Sequence, residues 1–533
     1  MPNRYWWLPG SLSLLGILLL TAGPIGALLL QGGQMSLGKV LADPYLRHVI
    51  WFSFYQASLS TLLSLLLAIP LAQALSRRYF PGRTLLLRLF GLSLVLPVIL
   101  VVFGIVAVHG RQGWVNQLLG LIGLEPVSYL YGLPGILLAH VFFNMPLAAR
   151  ILLQAIEGIP QSQWRMASQL GFSGWQLLRW LEWPAMRGTL PALASMIFML
   201  CFTSFATVMA LGGGPRSTTL EVAIYQALRF DFDLPLAGML AVLQLLFCSG
   251  FLLLQYWLTR PVLHSPERQI LSARPDRHWK GVYLWDLLVL SLCLVLFLPP
   301  LLAIIVSGLN PSLWTALSSS LLWRATASSL LIAGGAGLLS VLLTLGLLSS
   351  SRHLRLRLHH RIGAALMEAT GSVILVLPAV VLSTGLFILL RGSFDVFTLG
   401  PLLVLLVNAL MALPYGLRAL QQPMERIARQ YDRLCTSLDI GGLNRLQQLE
   451  WPLLRKPVAL ALALAMMLSL GDLSAIALFG SQHLQTLPWL LYQQLGNYQM
   501  TEAAATSLIL LLLSLGLFIL IEGVLGGKDA GTR

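Results

Sequence analysis

Charged residues are scarce in this chain, and apolar residues are abundant. Only 10% of its 533 residues are charged and 57% are hydrophobic, whereas a soluble domain carries about 25% charged residues. This composition excludes an ordinary soluble protein and predicts a membrane protein that spans the bilayer many times. The net charge of +14 does not indicate nucleic-acid binding, because the basic residues lie in short loops between apolar runs and form no basic domain.

The sequence also lacks the residue patterns of enzymes and metal sites. Its 4 cysteines are scattered and predict neither a disulfide framework nor a metal site. The P-loop motif G-x4-G-K-[ST] and the zinc motif H-E-x-x-H are both missing. We therefore expect that this chain binds no cofactor and catalyses no reaction.

Apolar runs of about 20 residues are long enough to cross a bilayer as helices. The sequence contains twelve such runs and so predicts an all-α fold. They are 11–31, 49–75, 84–108, 130–150, 191–212, 236–259, 282–309, 321–350, 364–390, 397–420, 458–479 and 503–523. With the amino terminus in the cytoplasm, 27 of the 34 lysines and arginines fall on the inner side. Because basic residues favour the cytoplasmic side, we predict that both termini are cytoplasmic.

A polar stretch at 154–191 occurs twice, at an offset of 268 residues. The register indicates two parallel repeats of six spans each, a first half at 1–259 and a second half at 282–533, joined by a polar linker at 260–281. Matched pairs include Pro146 and Pro414, Glu157 and Glu425, Gly174 and Gly442, Glu182 and Glu450, and Pro184 and Pro452.

The repeated stretch predicts a helix-turn-helix at the membrane surface. In the first copy, residues 161–170 favour a short helix, residues 171–174 a flexible turn, and residues 175–181 a second helix that stops before Pro184. An interfacial loop that only joins two spans is the alternative. Two copies on the basic side of the membrane favour a docking element.

The spacing of Ala167, Gly171 and Leu181-x-Trp183-Pro184 resembles the EAA loop, EAA-x3-G-x9-I-x-L-P, of the permease subunits of ABC importers. In that family the loop forms a coupling helix that sits in a groove of the cytoplasmic ATPase. The first copy has Arg165 where the family has glutamate, and the second has Asp439 at the turn glycine. The resemblance implies coupling-loop roles for Arg165, Ala167, Gly171, Gly174, Glu182 and Pro184, and for Arg433, Cys435, Asp439, Gly442, Glu450 and Pro452.

Nearly the whole chain resembles the thiamine importer permeases of Gram-negative bacteria. The resemblance is carried by segments such as 47–64, 131–157, 212–228 and 486–496. It implies a multi-pass inner membrane protein, a periplasmic thiamine-binding protein, and a cytoplasmic ATPase homodimer that binds ATP and Mg. Thiamine and its phosphate esters are the implied cargo. A ferric-iron importer permease, a secondary transporter of twelve spans, and a membrane-embedded enzyme or scaffold are the alternatives.

Polar residues inside a membrane are costly and are candidates for a substrate path. Asp472 lies within the predicted span 458–479, and Thr203, Ser204 and Thr207 occupy the equivalent part of the first half. We expect these four residues to line the path. Pairing of Asp472 inside the bundle is the alternative.

Overall fold

The computed structural model describes residues 7–93, 95–258, 274, 276, 279–440, 442–481 and 484–526. The described residues form α-helices joined by short turns, without a β-strand, so the all-α prediction is confirmed. Most of the predicted linker, 260–281, lies outside the described residues.

The helices of the first half are α1 (Leu8–Gly32), α2 (Leu37–Ala42), α3 (Pro44–Arg77), α4 (Arg83–Leu92), α5 (Val98–His109), α6 (Trp114–Leu121), α7 (Leu133–Glu157), α8 (Gln161–Gln169), α9 (Gly174–Leu177), α10 (Trp183–Arg187), α11 (Leu190–Phe202), α12 (Phe205–Leu211), α13 (Leu220–Arg229) and α14 (Leu234–Leu258). Those of the second half are α15 (Lys280–Gly308), α16 (Ser312–Ser318), α17 (Ser320–Leu356), α18 (Arg361–Ser372), α19 (Ala379–Leu390), α20 (Gly400–Ser437), α21 (Gly442–Arg445), α22 (Trp451–Leu470), α23 (Ser474–Phe479), α24 (Leu487–Gly496) and α25 (Met500–Gly526).

The prediction of about twelve spans is confirmed. Among the described residues, 10 helices are long and apolar enough to cross a membrane, and up to 12 if each of two bent pairs counts as one span. The runs 84–108 and 364–390 were predicted as continuous helices, and this is wrong. α4 ends before Pro97 and α18 ends before Pro378, and the second break bends the path by 94°. Each proline directly precedes the next helix, because it has no amide with which to continue the preceding one.

The runs 191–212 and 458–479 are also interrupted. α11 ends at Phe202 and α12 begins at Phe205, while α22 ends at Leu470 and α23 begins at Ser474. The two breaks fall at equivalent positions of the two halves. Each places polar residues between two helix segments.

The first helix of each half packs mainly against the other half. α1 lies against α17 and α19 as well as α14, and α15 lies against α3 and α5 as well as α25. On α15, the ring of Phe297 stacks on Phe142 of α7 at 4.8 Å between centroids and contacts Phe90 of α4 at 5.3 Å. The apolar core is therefore continuous through both halves.

We call α1 and α15 the exchanged helices, because each packs mainly against the other half. Each of them contacts a glycine of the other half. Gly104 on α5 lies against the backbone of Pro300, and Gly385 on α19 lies against the backbone of Pro24. A Cβ atom at either glycine would collide with the proline carbonyl oxygen, so a larger residue would push the helix away. Segments 92–104 and 373–385 align at an offset of 281 residues, which makes the two glycines equivalent, so the same close approach occurs twice.

Candidate functional site

The first repeated loop forms the predicted helix-turn-helix. α8 ends before a turn in which Gly171 has φ +65°, a left-handed conformation that favours glycine. The prediction that the second helix stops before Pro184 is wrong. That helix continues from α9 through a π-helical turn, Leu178–Glu182, into α10 and ends at Arg187.

The π-helical turn explains how the helix passes the proline. The amide of Trp183 donates to the carbonyl of Leu178, five residues earlier, and the amide of Trp451 donates to Leu446 in the second loop. A proline has no amide and crowds the carbonyl four residues before it. The wider turn removes this conflict, and it occurs directly before the proline in both halves.

The second loop differs from the first at its start. α20 continues without a break to Ser437, whereas α7 ends at Glu157 and α8 begins anew at Gln161. The first copy has Gly158-Ile159-Pro160 where the second has Arg426-Ile427-Ala428, and only the first sequence interrupts a helix. Asp439 takes the place of Gly171 and has φ +51°. Aspartate tolerates this conformation better than most residues.

The predicted loop residues divide into an exposed set and a buried set. Gly174 is half-buried. The exposed residues are Arg165, Gly171, Pro184, Arg433, Asp439, Gly442 and Pro452, and the buried residues are Ala167, Glu182, Cys435 and Glu450.

Sequence reasoning missed an apolar pair on each loop. Met166 on α8 and Leu170 directly after it are 61% and 64% exposed, and the equivalent Leu434 and Leu438 in the second loop are 51% and 59% exposed. Residues four apart share one face of a helix. The sequence feature that could have revealed them is an apolar pair at the same positions of both copies, on a largely polar segment. Each loop therefore presents an apolar pair beside an arginine, Arg165 or Arg433.

Glu182 belongs to a buried charge cluster and does not face outward. Its side chain is fully buried, accepts a hydrogen bond of 2.6 Å from Gln73, pairs with Arg274, and lies 3.7 Å from Arg77 on α3. Arg77 also pairs with Asp276 at 2.9 Å and Asp286 at 3.1 Å. With Arg78 on Asp286 at 2.7 Å, three guanidinium groups face three carboxylates. We name these six residues, Arg77, Arg78, Glu182, Arg274, Asp276 and Asp286, the linker cluster.

Arg274 connects the linker to the first repeated loop. It pairs with Glu182 of the π-helical turn, donates to Ser76 Oγ at 2.7 Å, and lies 4.4 Å from the centre of the Trp164 ring on α8. Burial alone would raise the pKa of Asp276, but the Arg274 and Arg77 guanidinium groups outweigh it and lower the pKa, so this carboxylate stays ionised. Both helical parts of the first loop thus contact the linker.

The second loop uses an arginine of its own instead. Glu450 pairs with Arg352 on α17 at 3.0 Å and with Arg445 at 2.9 Å, and Arg445 also pairs with Asp432 at 2.6 Å. Arg77 at the end of α3 and Arg352 near the end of α17 each pair with the glutamate of their own loop, but the position equivalent to Arg445 holds Leu177. In the first half, the linker residue Arg274 therefore supplies an arginine to the loop glutamate. In the second half, Arg445 of the loop itself supplies it.

Three of the four predicted path residues, Asp472, Thr203 and Ser204, lie at the two equivalent helix breaks, and Thr207 lies on α12 just after the first break. Asp472 accepts hydrogen bonds from the amides of Ser474 and Ala475 at 3.0 and 3.1 Å and so caps α23. In the first half, Ser204 Oγ lies 2.8 Å from His140 Nε2, Thr203 bonds to the carbonyl of Met199, and Thr207 is buried on α12. The other nitrogen of His140 contacts Ser60 at 2.8 Å, a link that the sequence did not reveal.

Comparison with known proteins assigns the family. Residues 60–264 and 342–525 match the family described as "Binding-protein-dependent transport system inner membrane component". The thiamine transport system permease protein ThiP of Escherichia coli (strain K12) is 46% identical over 529 residues, 99% of this chain and 98% of that protein. This chain belongs to the family of binding-protein-dependent transport permeases. The protein of the same name from Brucella abortus (strain 2308) is 42% identical over 518 residues, 96% of this chain and 94% of that protein.

Solved structures resemble this permease more distantly. A chain of the bacterial alginate ABC transporter, in complex with alginate pentasaccharide-bound periplasmic protein, is 18% identical to it with a TM-score of 0.43. That match covers 48% of this permease and 95% of that chain. With its apolar helices and its family, the permease is a multi-pass inner membrane protein. The described residues hold no group of three or more histidine, cysteine, aspartate or glutamate side chains that could bind one metal ion.

Replacing Asp472 of the permease with alanine is expected to destabilise α23, because two amides at its start lose their acceptor. Loss of such a cap costs about 0.5–2 kcal/mol of unfolding free energy. Asparagine keeps one side-chain oxygen, so we expect the Asp472→Asn variant to be more stable than the alanine variant. The thermal unfolding temperature of both purified variants measures this difference. Equal stability of the alanine variant and the unmodified protein would show that the cap contributes nothing.

Proposed function

We propose that this permease carries thiamine, and also thiamine phosphates, from the periplasm to the cytoplasm in an ATP-driven importer. The observation that carries the proposal is the similarity to thiamine transport system permease proteins over 94% or more of both chains. A duplication into residues 1–259 and 282–533 agrees with the two matched segments of the family. Each half then supplies one side of the path.

We propose that a separate cytoplasmic ATPase homodimer binds ATP and Mg and docks on the two loops, so that both termini are cytoplasmic. The exposed apolar pairs, Met166 with Leu170 and Leu434 with Leu438, support this docking, because exposed apolar groups side by side mark protein interaction sites. The neighbouring arginines, Arg165 and Arg433, add positive charge to the same surface. Glu182 and Glu450, which are buried, hold the loops in place from within.

The buried ion pairs support a mechanism of alternating access. Each loop forms an ion pair with a long helix of its half, through Arg77 on α3 and Arg352 on α17. A movement of the ATPase subunits would therefore reach the spans directly. A periplasmic thiamine-binding protein would deliver the substrate to the opposite end, and the polar breaks at Asp472 and at Thr203 and Ser204, together with Thr207, would line the path.

The test is uptake of radiolabelled thiamine at nanomolar concentration in cells without this chain and in cells with the chain restored. We expect uptake to return with the chain and to vanish when the partner ATPase is disabled. Ferric-iron uptake is measured in the same cells. Restored iron uptake with unchanged thiamine uptake would show that the cargo is ferric iron and not thiamine. Thiamine uptake without any ATPase would favour a secondary transporter.

A further inference from the structure

Two cavities lie side by side between the halves, at the end of the bundle away from the coupling loops. One has a volume of about 440 Å³ and is lined by α12, the Gly212–Gly214 turn, α13 and α24. The other has a volume of about 450 Å³ and shares Met209, Gly213, Gly214 and Tyr492 with the first. Small-molecule sites have volumes of roughly 300–1,000 Å³. Each cavity is therefore large enough to hold a small organic molecule.

Aromatic side chains from both halves line the first cavity. Trp489 and Tyr492 on α24 stack on each other at 5.5 Å between centroids. From the first half, Tyr225 on α13 contacts Phe230 at 5.7 Å, edge to face. Tyr225 and Tyr492 begin the matching segments YQAL, 225–228, and YQQL, 492–495, of the two repeats. Because Tyr225 is buried and packed against a second ring, Phe205, at 5.5 Å, its orientation is fixed.

The charged group in the lining of the first cavity is engaged by other parts of the protein. Arg229 is the charged residue of the described lining, and it donates to the carbonyl of Gly480 at 3.1 Å and lies 5.1 Å from the centre of the Phe397 ring. The other polar groups of the described lining, on Ser217, Thr218, Gln226 and the two tyrosines, are neutral. Such a cavity would recognise a ligand by stacking and by neutral hydrogen bonds.

We propose that this aromatic cavity is a transient binding site for a planar heteroaromatic cation on its way through the permease. This inference rests on the proposed function, since thiamine combines an aminopyrimidine ring with a positively charged thiazolium ring. Aromatic faces attract organic cations without a carboxylate. A site without a fixed counter-charge binds weakly, as a step in transport requires, because a cargo held tightly would not be released.

The test is equilibrium binding of radiolabelled thiamine to the full-length permease in lipid nanodiscs, without a binding protein. We expect saturable binding that weakens about tenfold in the Trp489→Ala variant, corresponding to about 1.4 kcal/mol, and that is largely kept in Trp489→Phe. The control is Trp314→Ala, because Trp314 on α16 is 77% exposed and lies outside both cavities. An unlabelled thiazolium salt is expected to compete, and choline, a cation without a ring, is expected to compete poorly.

The outcomes separate this inference from the proposed function. If the permease restores thiamine uptake in cells but the nanodiscs bind no thiamine, or bind it equally with and without the Trp489 ring, the aromatic site is wrong and the function stands. Equal competition by choline would also overturn the site, since aromatic faces attract quaternary ammonium ions too, and the stacking of a planar ring would then contribute nothing. If cells show no thiamine uptake through this chain, the proposed function itself fails.

Discussion

Replacing Arg274 with methionine is expected to destabilise the permease by about 3–5 kcal/mol, because the linker cluster would keep three buried carboxylates against two guanidinium groups. Glu182, whose side chain is fully buried, would lose its closest cation. The measurement is the thermal unfolding temperature of the purified protein, together with its amount in the membrane. The matched control is Arg357→Met, because Arg357 is 43% exposed and lies 3.8 Å from Asp432. Exposed pairs of this kind contribute about 0–1 kcal/mol.

A second substitution separates charge balance from packing. In the double variant Arg274→Met with Glu182→Gln, two guanidinium groups face two carboxylates, so we expect much of the lost stability to return. This recovery is the signature of coupled residues in a double-mutant cycle. A double variant that is less stable than the single Arg274→Met variant would show that Arg274 acts through its packing on Trp164 and not through charge.

Replacing Met166 and Leu170 together with glutamate is expected to reduce ATP-driven uptake by more than tenfold. Burial of each side chain against a partner contributes about 1.5–3 kcal/mol, and two charges would have to be removed from water in its place. Both residues are exposed in the permease alone, so its own stability should change little. The measurement is uptake together with the amount of ATPase that copurifies with the permease.

The volume-conserving swap Met166→Leu with Leu170→Met is the control for this surface, because it keeps the pair apolar. The equivalent change at Leu434 and Leu438 tests whether the two loops contribute equally. Full uptake and normal copurification with both glutamate pairs would remove these loops from the docking surface.

The spans and the repeat could be predicted from the sequence because both depend on local signals. Apolar runs of sufficient length fix the positions of the helices, and the offset of 268 residues fixes the equivalence of the loops. The helix breaks could not be predicted in the same way. Pro97 and Pro378 directly precede new helices, yet prolines also lie inside continuous helices, where neighbouring segments compensate for the lost hydrogen bond. These are Pro24, Pro70, Pro146, Pro299, Pro300, Pro414, Pro423 and Pro457.

The role of the loop glutamates depended on contacts between distant residues. Glu182 and Glu450 were predicted as coupling-loop residues because they match each other in the repeated stretch, but their partners include Arg274 and Arg352, about a hundred residues away. The linker segment itself has no distinctive sequence. A single sequence does not reveal which arginine reaches a buried carboxylate.

The exchange of α1 and α15 between the halves bears on whether the linker is needed to hold the halves together. Each half already holds the first helix of the other half, and the contacts of Gly104 and Gly385 fix this arrangement on both sides. Such an interlocked pair is what gene duplication and fusion would make from a homodimer that swapped its first helices. The covalent connection between the halves is then dispensable for their assembly, and a chain cut among residues 260–273 would still give two fragments that associate. What the connection supplies is Arg274, which pairs with Glu182 of the first loop.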